Sequence, residues 1–255
     1  MSFRPAGAWP VLLIAALAGA LGADAAPAQA AKPAPAASAQ AAKVVAASTG
    51  SAPADAAAIK PGDATAGAGK AAVCGACHGM DGNSTDPQYP KLAGQQESYI
   101  VLQLESFKSG KRQNPIMAGF ASALSEQDMH DIGAYFASKR SLPGVADETV
   151  VAQGQQLFRE GDVARGIPAC MACHSIDGRG NPGAIYPQLA GQHAQYVEAT
   201  LKAWQAGTRW GDDPHAVIMQ GIAQRLTPQE ITAVSSYVEG LHAVDNAAAP
   251  VAASP

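Results

Sequence analysis

The sequence predicts an all-α protein made of two tandem copies of one small domain. Three observations carry that reading. The two halves of the chain align with each other, apolar residues recur at helical rather than alternating spacing, and helix-opening residues precede the apolar runs.

The elements follow in order along the 255 residues. Residues 1–25 carry Arg4, then an eleven-residue apolar run at 11–21, then small-residue A-x-A sites, an order that predicts a cleavable secretory signal with its cut between about 25 and 30. The run is too short for a membrane helix, which needs roughly 20 residues, and no later stretch qualifies. Residues 26–61 collapse to Ala, Pro, Ser and a few Lys; with hardly any large apolar side chain they cannot offset their ordering entropy, so a disordered linker is expected, and a similar tail at 246–255.

Between these lie the two copies, residues 62–144 and 145–245. Asp63 is the expected N-cap of a short helix running into Cys74, and Thr149 of a helix over 150–160. Ile100, Leu104 and Phe107 fall at i, i+4, i+7, as do Val197, Leu201 and Trp204, and Gly110 and Gly207 follow as stops. The last helix of each copy opens with a capping box, Ser125 to Asp128 and Thr227 to Glu230, the second with Pro228 at the favoured first position. Met129, Ile132 and Phe136 then line one face, matched by Ile231, Val234 and Val238.

The alignment itself is offset by 96 residues at Cys74, Cys77, His78, Asp81 and Gly82, by 97 over the Tyr-Pro-x-Leu-Ala-Gly-Gln segments starting at Tyr89 and Tyr186, and by 102 from Met117 onward. One residue and then five are inserted, in expected loops.

The duplicated motifs contain all four cysteines: Cys74-Gly75-Ala76-Cys77-His78 and Cys170-Met171-Ala172-Cys173-His174. Each is C-x-x-C-H, the attachment signature for c-type haem. Thiols one helical turn apart can each add across a porphyrin vinyl group, and the adjacent imidazole ligates the iron. Disulfides, a zinc site or a redox dithiol also use paired cysteines, but none explains a histidine directly after each pair. Each copy is therefore expected to fold around one covalently bound haem, giving two haem c groups, with Cys74, Cys77, Cys170 and Cys173 attached and His78 and His174 as axial ligands.

The internal repeat also discriminates among candidates for the second axial ligand. Met80 aligns with Ile176 and lies two residues from His78; Met129 aligns with Ile231 on the apolar stripe. His130 aligns with Thr232, His193 with Gln96 and His215 with Gln113. Only Met117 meets a methionine, Met219, and both are expected in a loop between the long helices. A thioether opposite an imidazole raises the potential and fills the coordination sphere, leaving no position for peroxide or oxygen. One-electron exchange is the chemistry that remains, so the chain reads as an electron carrier and not an enzyme. Pro90 and Pro187 are expected to orient the two imidazoles: a proline carbonyl about a dozen residues past each histidine can accept its Nδ1–H.

With these residues placed, the chain resembles the di-haem cytochrome c4 family, two class I cytochrome c domains in tandem. The resemblance covers about residues 63–244. It implies cytochrome c folds packed face to face with haem propionates near the interface, a periplasmic location, and electron delivery from a donor such as a quinol-oxidising cytochrome complex towards a terminal oxidase. The long Ala/Pro segment departs from the usual pattern and leaves peripheral membrane association open. The alternatives are a di-haem peroxidase, which needs one iron able to open, and a haem-bearing subunit of a larger redox complex.

The net charge of −4 points to no nucleic-acid partner. It is unevenly split: residues 62–144 hold seven Lys/Arg against eight Asp/Glu, residues 145–244 six against ten. Such a lopsided field can orient the molecule on a charged protein partner. The expected form is a monomer.

Overall fold

Asp63 opens the first helix as predicted, its carboxylate accepting from the backbone N–H groups of Thr65 and Ala66 at 2.8 and 3.3 Å. The structure, a computed structural model, describes residues 59–211 and 214–242, with only the backbone for 214–216. The expected signal segment, nearly all of the Ala/Pro-rich linker, the side chain of His215 and the tail lie outside the described residues. Within them the regular structure is helical, with two isolated β-bridges, Asp162 to Ile167 and Asn181 to Tyr186.

In the first copy, α1 (Ala64–Lys70) passes through a 3₁₀ turn (Ala71–Val73) into α2 (Gly75–His78); α3 (Glu97–Lys108), α4 (Pro115–Ser122) and α5 (Glu126–Ala137) follow. The second repeats the order with α6 (Val151–Glu160), α7 (Met171–His174), α8 (Ala194–Gln205), α9 (Pro214–Ala223) and α10 (Pro228–Gly240). Both capping boxes form, Ser125 with Asp128 and Thr227 with Glu230. Thr149 does not cap α6. Its N–H and hydroxyl both donate to the Asp147 carboxylate two residues upstream, and the helix starts after Val150.

Each copy closes its own core. Ile100, Leu104, Phe107, Met129, Ile132 and Phe136 share one cluster, and Leu157, Phe158, Leu201, Ile231, Val234 and Val238 another. The predicted stripes are the buried faces, although Val197 and Trp204 are only partly buried. First and last helices cross at a glycine in both copies. A Cβ on Gly67 would come within 1.9 Å of the Asp131 carbonyl oxygen, and one on Gly154 within 2.1 Å of that of Ala233. The backbones touch, so no larger residue fits.

The same crossing is fastened by different chemistry in each copy. In the first, Lys70 Nζ lies 2.6 Å from Asp128 and 2.5 Å from Asp131, and Asp131 also accepts from the backbone N–H of Asp63 at 3.0 Å. In the second, the apolar Leu157 and Ala233 stand beside the crossing and are buried.

Candidate functional site

Each C-x-x-C-H motif makes one turn of helix. The His78 and His174 N–H groups donate to the Cys74 and Cys170 carbonyls, both at 3.0 Å, which stacks the first cysteine of each motif against its histidine. The residue after each histidine takes a positive φ, 78° at Gly79 and 71° at Ser175, and reverses the chain. Asp-Gly then docks on Leu-Ala of the repeated segment: the Gly82 carbonyl accepts from Leu92 and Ala93 at 2.8 and 3.1 Å, that of Gly178 from Leu189 and Ala190 at 2.7 and 3.1 Å. The next glycine ties the segment to the last helix, Gly94 N–H to Phe136 and Gly191 N–H to Val238.

This path carries each proline back to its histidine. His78 Nδ1 is 2.8 Å from the Pro90 carbonyl oxygen, and His174 Nδ1 is 2.9 Å from that of Pro187. A carbonyl only accepts, so Nδ1 bears the proton and Nε2 keeps the lone pair that a metal ligand needs. Tyr89 and Tyr186 stand beside the rings, with centroids 6.2 and 6.1 Å away. Burial pushes the pKa of both histidines down, against the opposing pull of the proline carbonyls, which favours the neutral ring.

Burial also raises the Cys74 thiol and pushes that of Cys170 up to about 11, so neither is a ready thiolate. The four cysteines are not bonded to one another. Among the described residues no group of three or more His, Cys, Asp and Glu is placed to hold a bare metal ion.

The methionines differ from expectation in their setting. Met117 lies in α4 and Met219 in α9, not in loops. Asn114 caps α4 through the Met117 N–H at 3.1 Å, and Pro115 occupies its first turn. That pairing is a readable helix start, but the eight-residue helix is too short for an apolar stripe to reveal it. Nor is the later insertion confined to a loop: α9 begins five residues before its methionine, α4 two.

Met117 packs on the cluster that also receives Cys74 and Leu92, and Met219 on the one that receives Cys170 and Leu189. The competing candidates are occupied elsewhere. Met129 is buried in the core, Met80 is 61% exposed, and His130 Nδ1 lies 2.8 Å from Glu97. His193 is buried against the other copy, its Nε2 2.8 Å from the Ser84 carbonyl oxygen. Apolar Ile116, Phe120, Val217 and Ile218 stand exposed on the methionine helices. Directed lone pair, unpaired thiols, thioether and apolar surround together fit a covalently held porphyrin.

Sequence reasoning missed how the copies join. Gln95 Oε1 accepts from the Gln188 N–H at 2.9 Å while its Nε2 donates to the Gln188 carbonyl at 3.0 Å. Gln192 does the same to Lys91, at 2.8 and 2.9 Å. Gln95 matches Gln192 and Lys91 matches Gln188 in the repeat, so the contact is pseudo-two-fold. The repeated glutamine was visible in the aligned segments; its partners were not.

Comparisons with known proteins converge. The Cytochrome c family profile matches residues 64–139 and 151–242. A cytochrome c4 of Pseudomonas aeruginosa is 52% identical over 177 residues, covering 69% of this chain and 88% of that protein. A thiosulfate dehydrogenase electron acceptor of Stutzerimonas stutzeri is 40% identical over 176 residues, 67% of this chain and 80% of that protein. The crystal structure of reduced cytochrome c4 from Pseudomonas stutzeri superposes with a TM-score of 0.68 at 46% identity, covering 71% of this chain and all of that one. Two such domains with C-x-x-C-H sites carry two covalently bound haem c groups. The chain belongs to the cytochrome c family, as a di-haem cytochrome c4 electron-transfer protein.

Proposed function

We propose that this protein is a periplasmic carrier whose two irons are each closed by histidine and methionine, His78 with Met117 and His174 with Met219. Cys74 and Cys77, and Cys170 and Cys173, form the thioethers, each S–H adding across a vinyl C=C. When bound, haem supplies a reversible one-electron couple. The chain's own residues keep that couple simple. Pro90 and Pro187 hold each imidazole in one tautomer and orientation, the buried histidines resist protonation, and the methionines deny the sixth position to an oxidant.

One observation carries the reading: in both copies a proline carbonyl holds the histidine Nδ1–H, while a methionine some forty residues on packs against the cluster that receives the motif's first cysteine. Matched methionines weigh against a peroxidase, which needs one labile iron. The signal-like N-terminus supports export. Electrons pass from a donor such as a quinol-oxidising cytochrome complex towards a terminal oxidase. A second donor class follows from the relative named as a thiosulfate dehydrogenase electron acceptor: a periplasmic dehydrogenase.

The test is the visible spectrum, redox titration and carbon monoxide exposure of the haem-loaded chain, alongside Met117→Ala and Met219→Ala. Two low-spin components with a methionine-to-iron charge-transfer band and slow carbon monoxide binding are expected, each variant losing the band at one haem. A band unchanged in either variant rejects that ligand and favours the enzyme reading.

A further inference from the structure

We infer that Gln192 and Gln95 tune the reduction potential of the haem in the opposite domain, each through a single peptide unit. The peptide joining Pro90 to Lys91 does two things at once. Its carbonyl oxygen accepts from His78 Nδ1 at 2.8 Å, and its N–H donates to Gln192 Oε1 at 2.8 Å. The peptide joining Pro187 to Gln188 repeats this with His174 at 2.9 Å and Gln95 Oε1 at 2.9 Å.

A peptide that donates through its N–H becomes a stronger acceptor at its carbonyl, because the amide polarises as a unit. Gln192 therefore strengthens the pull of Pro90 on the His78 proton. A histidine pulled that way gains imidazolate character, binds iron more basically, favours the ferric state and lowers the potential. The Gln192–Lys91 contact is buried, both residues being 8% exposed, and the Gln95–Gln188 contact is part-buried, with Gln95 6% exposed. In that setting polarisation is felt more strongly than in solvent.

The relay gives the interface a function beyond adhesion. Each domain's potential carries a contribution that exists only while the other domain is docked, so a partner that parts them raises both potentials. Gln192 and Gln95 are thus positioning residues that act on iron through a histidine they do not touch. The inference rests on His78 and His174 as the iron ligands.

The experiment uses the full haem-loaded chain, with each haem assigned by NMR from its hyperfine-shifted ligand signals, and titrates both potentials. Gln192→Leu is expected to raise the potential of the His78 haem and to leave that of the His174 haem in place; Gln95→Leu does the converse. Gln192→Glu, which keeps an acceptor oxygen for the Lys91 N–H, leaves the His78 haem at or below its parent potential even if the leucine variant separates the domains. An unmoved potential, an equal shift of both haems in docked protein, or a rise in the glutamate variant matching that of leucine overturns the relay. Histidine Nδ1–H signals that lack a hyperfine shift in the parent protein would instead overturn the ligand assignment.

Discussion

His78 Nδ1 and the Pro90 carbonyl oxygen are 2.8 Å apart, across twelve positions of sequence. The proline ring fixes its own φ and so aims the carbonyl. Pro90→Ala frees that torsion, and the weakened bond is expected to raise the potential of the first-domain haem. A loss of about 1 kcal/mol corresponds to about 40 mV for one electron. Redox titration checks it; an unchanged potential would remove proline's electronic role and leave it a turn residue.

Gly67 and Gly69 occupy the same short helix but face different surroundings. A Cβ at Gly67 runs into the Asp131 backbone, whereas at Gly69 it meets nothing within 4 Å. Gly67→Ala should destabilise the first domain by about 3 kcal/mol through overpacking. Gly69→Ala should stabilise it by about 0.5–1 kcal/mol through helix propensity. Denaturant midpoints of the two variants should move in opposite directions.

Asp131 is held at about 2 by the Asp63 N–H, then Lys70 and Gln127; Asp128 is held at about 2 by Lys70, then Ser125. Both folded values lie below the unfolded carboxylate value, so their stabilisation is complete above about pH 4 and is lost as pH falls through 4 towards 2. The second domain has Ala233 at the equivalent of Asp131. Acid unfolding should therefore weaken the first domain over that window. Asp131→Asn should be less stable at neutral pH yet show a flatter dependence between pH 4 and 2, measured by circular dichroism.

Arg112 reaches across the domains. Its guanidinium carbon sits 3.3 Å from the Trp210 ring centroid, and Nη2 donates to the Tyr196 hydroxyl at 3.0 Å. Arg112→Ala should weaken docking by about 1–2 kcal/mol, and Arg112→Lys should not restore it, because an ammonium lacks the planar fork. Small-angle scattering of the three proteins would show the loosened pair; identical profiles would deny Arg112 that role.

The attachment motifs, the helix caps and the repeat were legible because their physics is local. A thiol pair and a histidine within five residues, or a serine three positions before an aspartate, need nothing distant to acquire their meaning. Thr149 shows the limit even there: a competing carboxylate two residues upstream took its hydroxyl. The helical setting of Met117 was written as Asn114-Pro115 but lay below the length at which periodicity speaks.

Sequence determined the fold class, the haem chemistry and, by comparison of its own halves, which methionines to propose as ligands. Tertiary structure decided what the remaining repeated residues are for. A glutamine's amide is satisfied by any peptide it meets, and the peptides that Gln95 and Gln192 meet lie 93 and 101 positions away. Only when two helices cross at a glycine, and two copies dock about a pseudo-two-fold axis, does each glutamine arrive at the peptide behind the other domain's histidine.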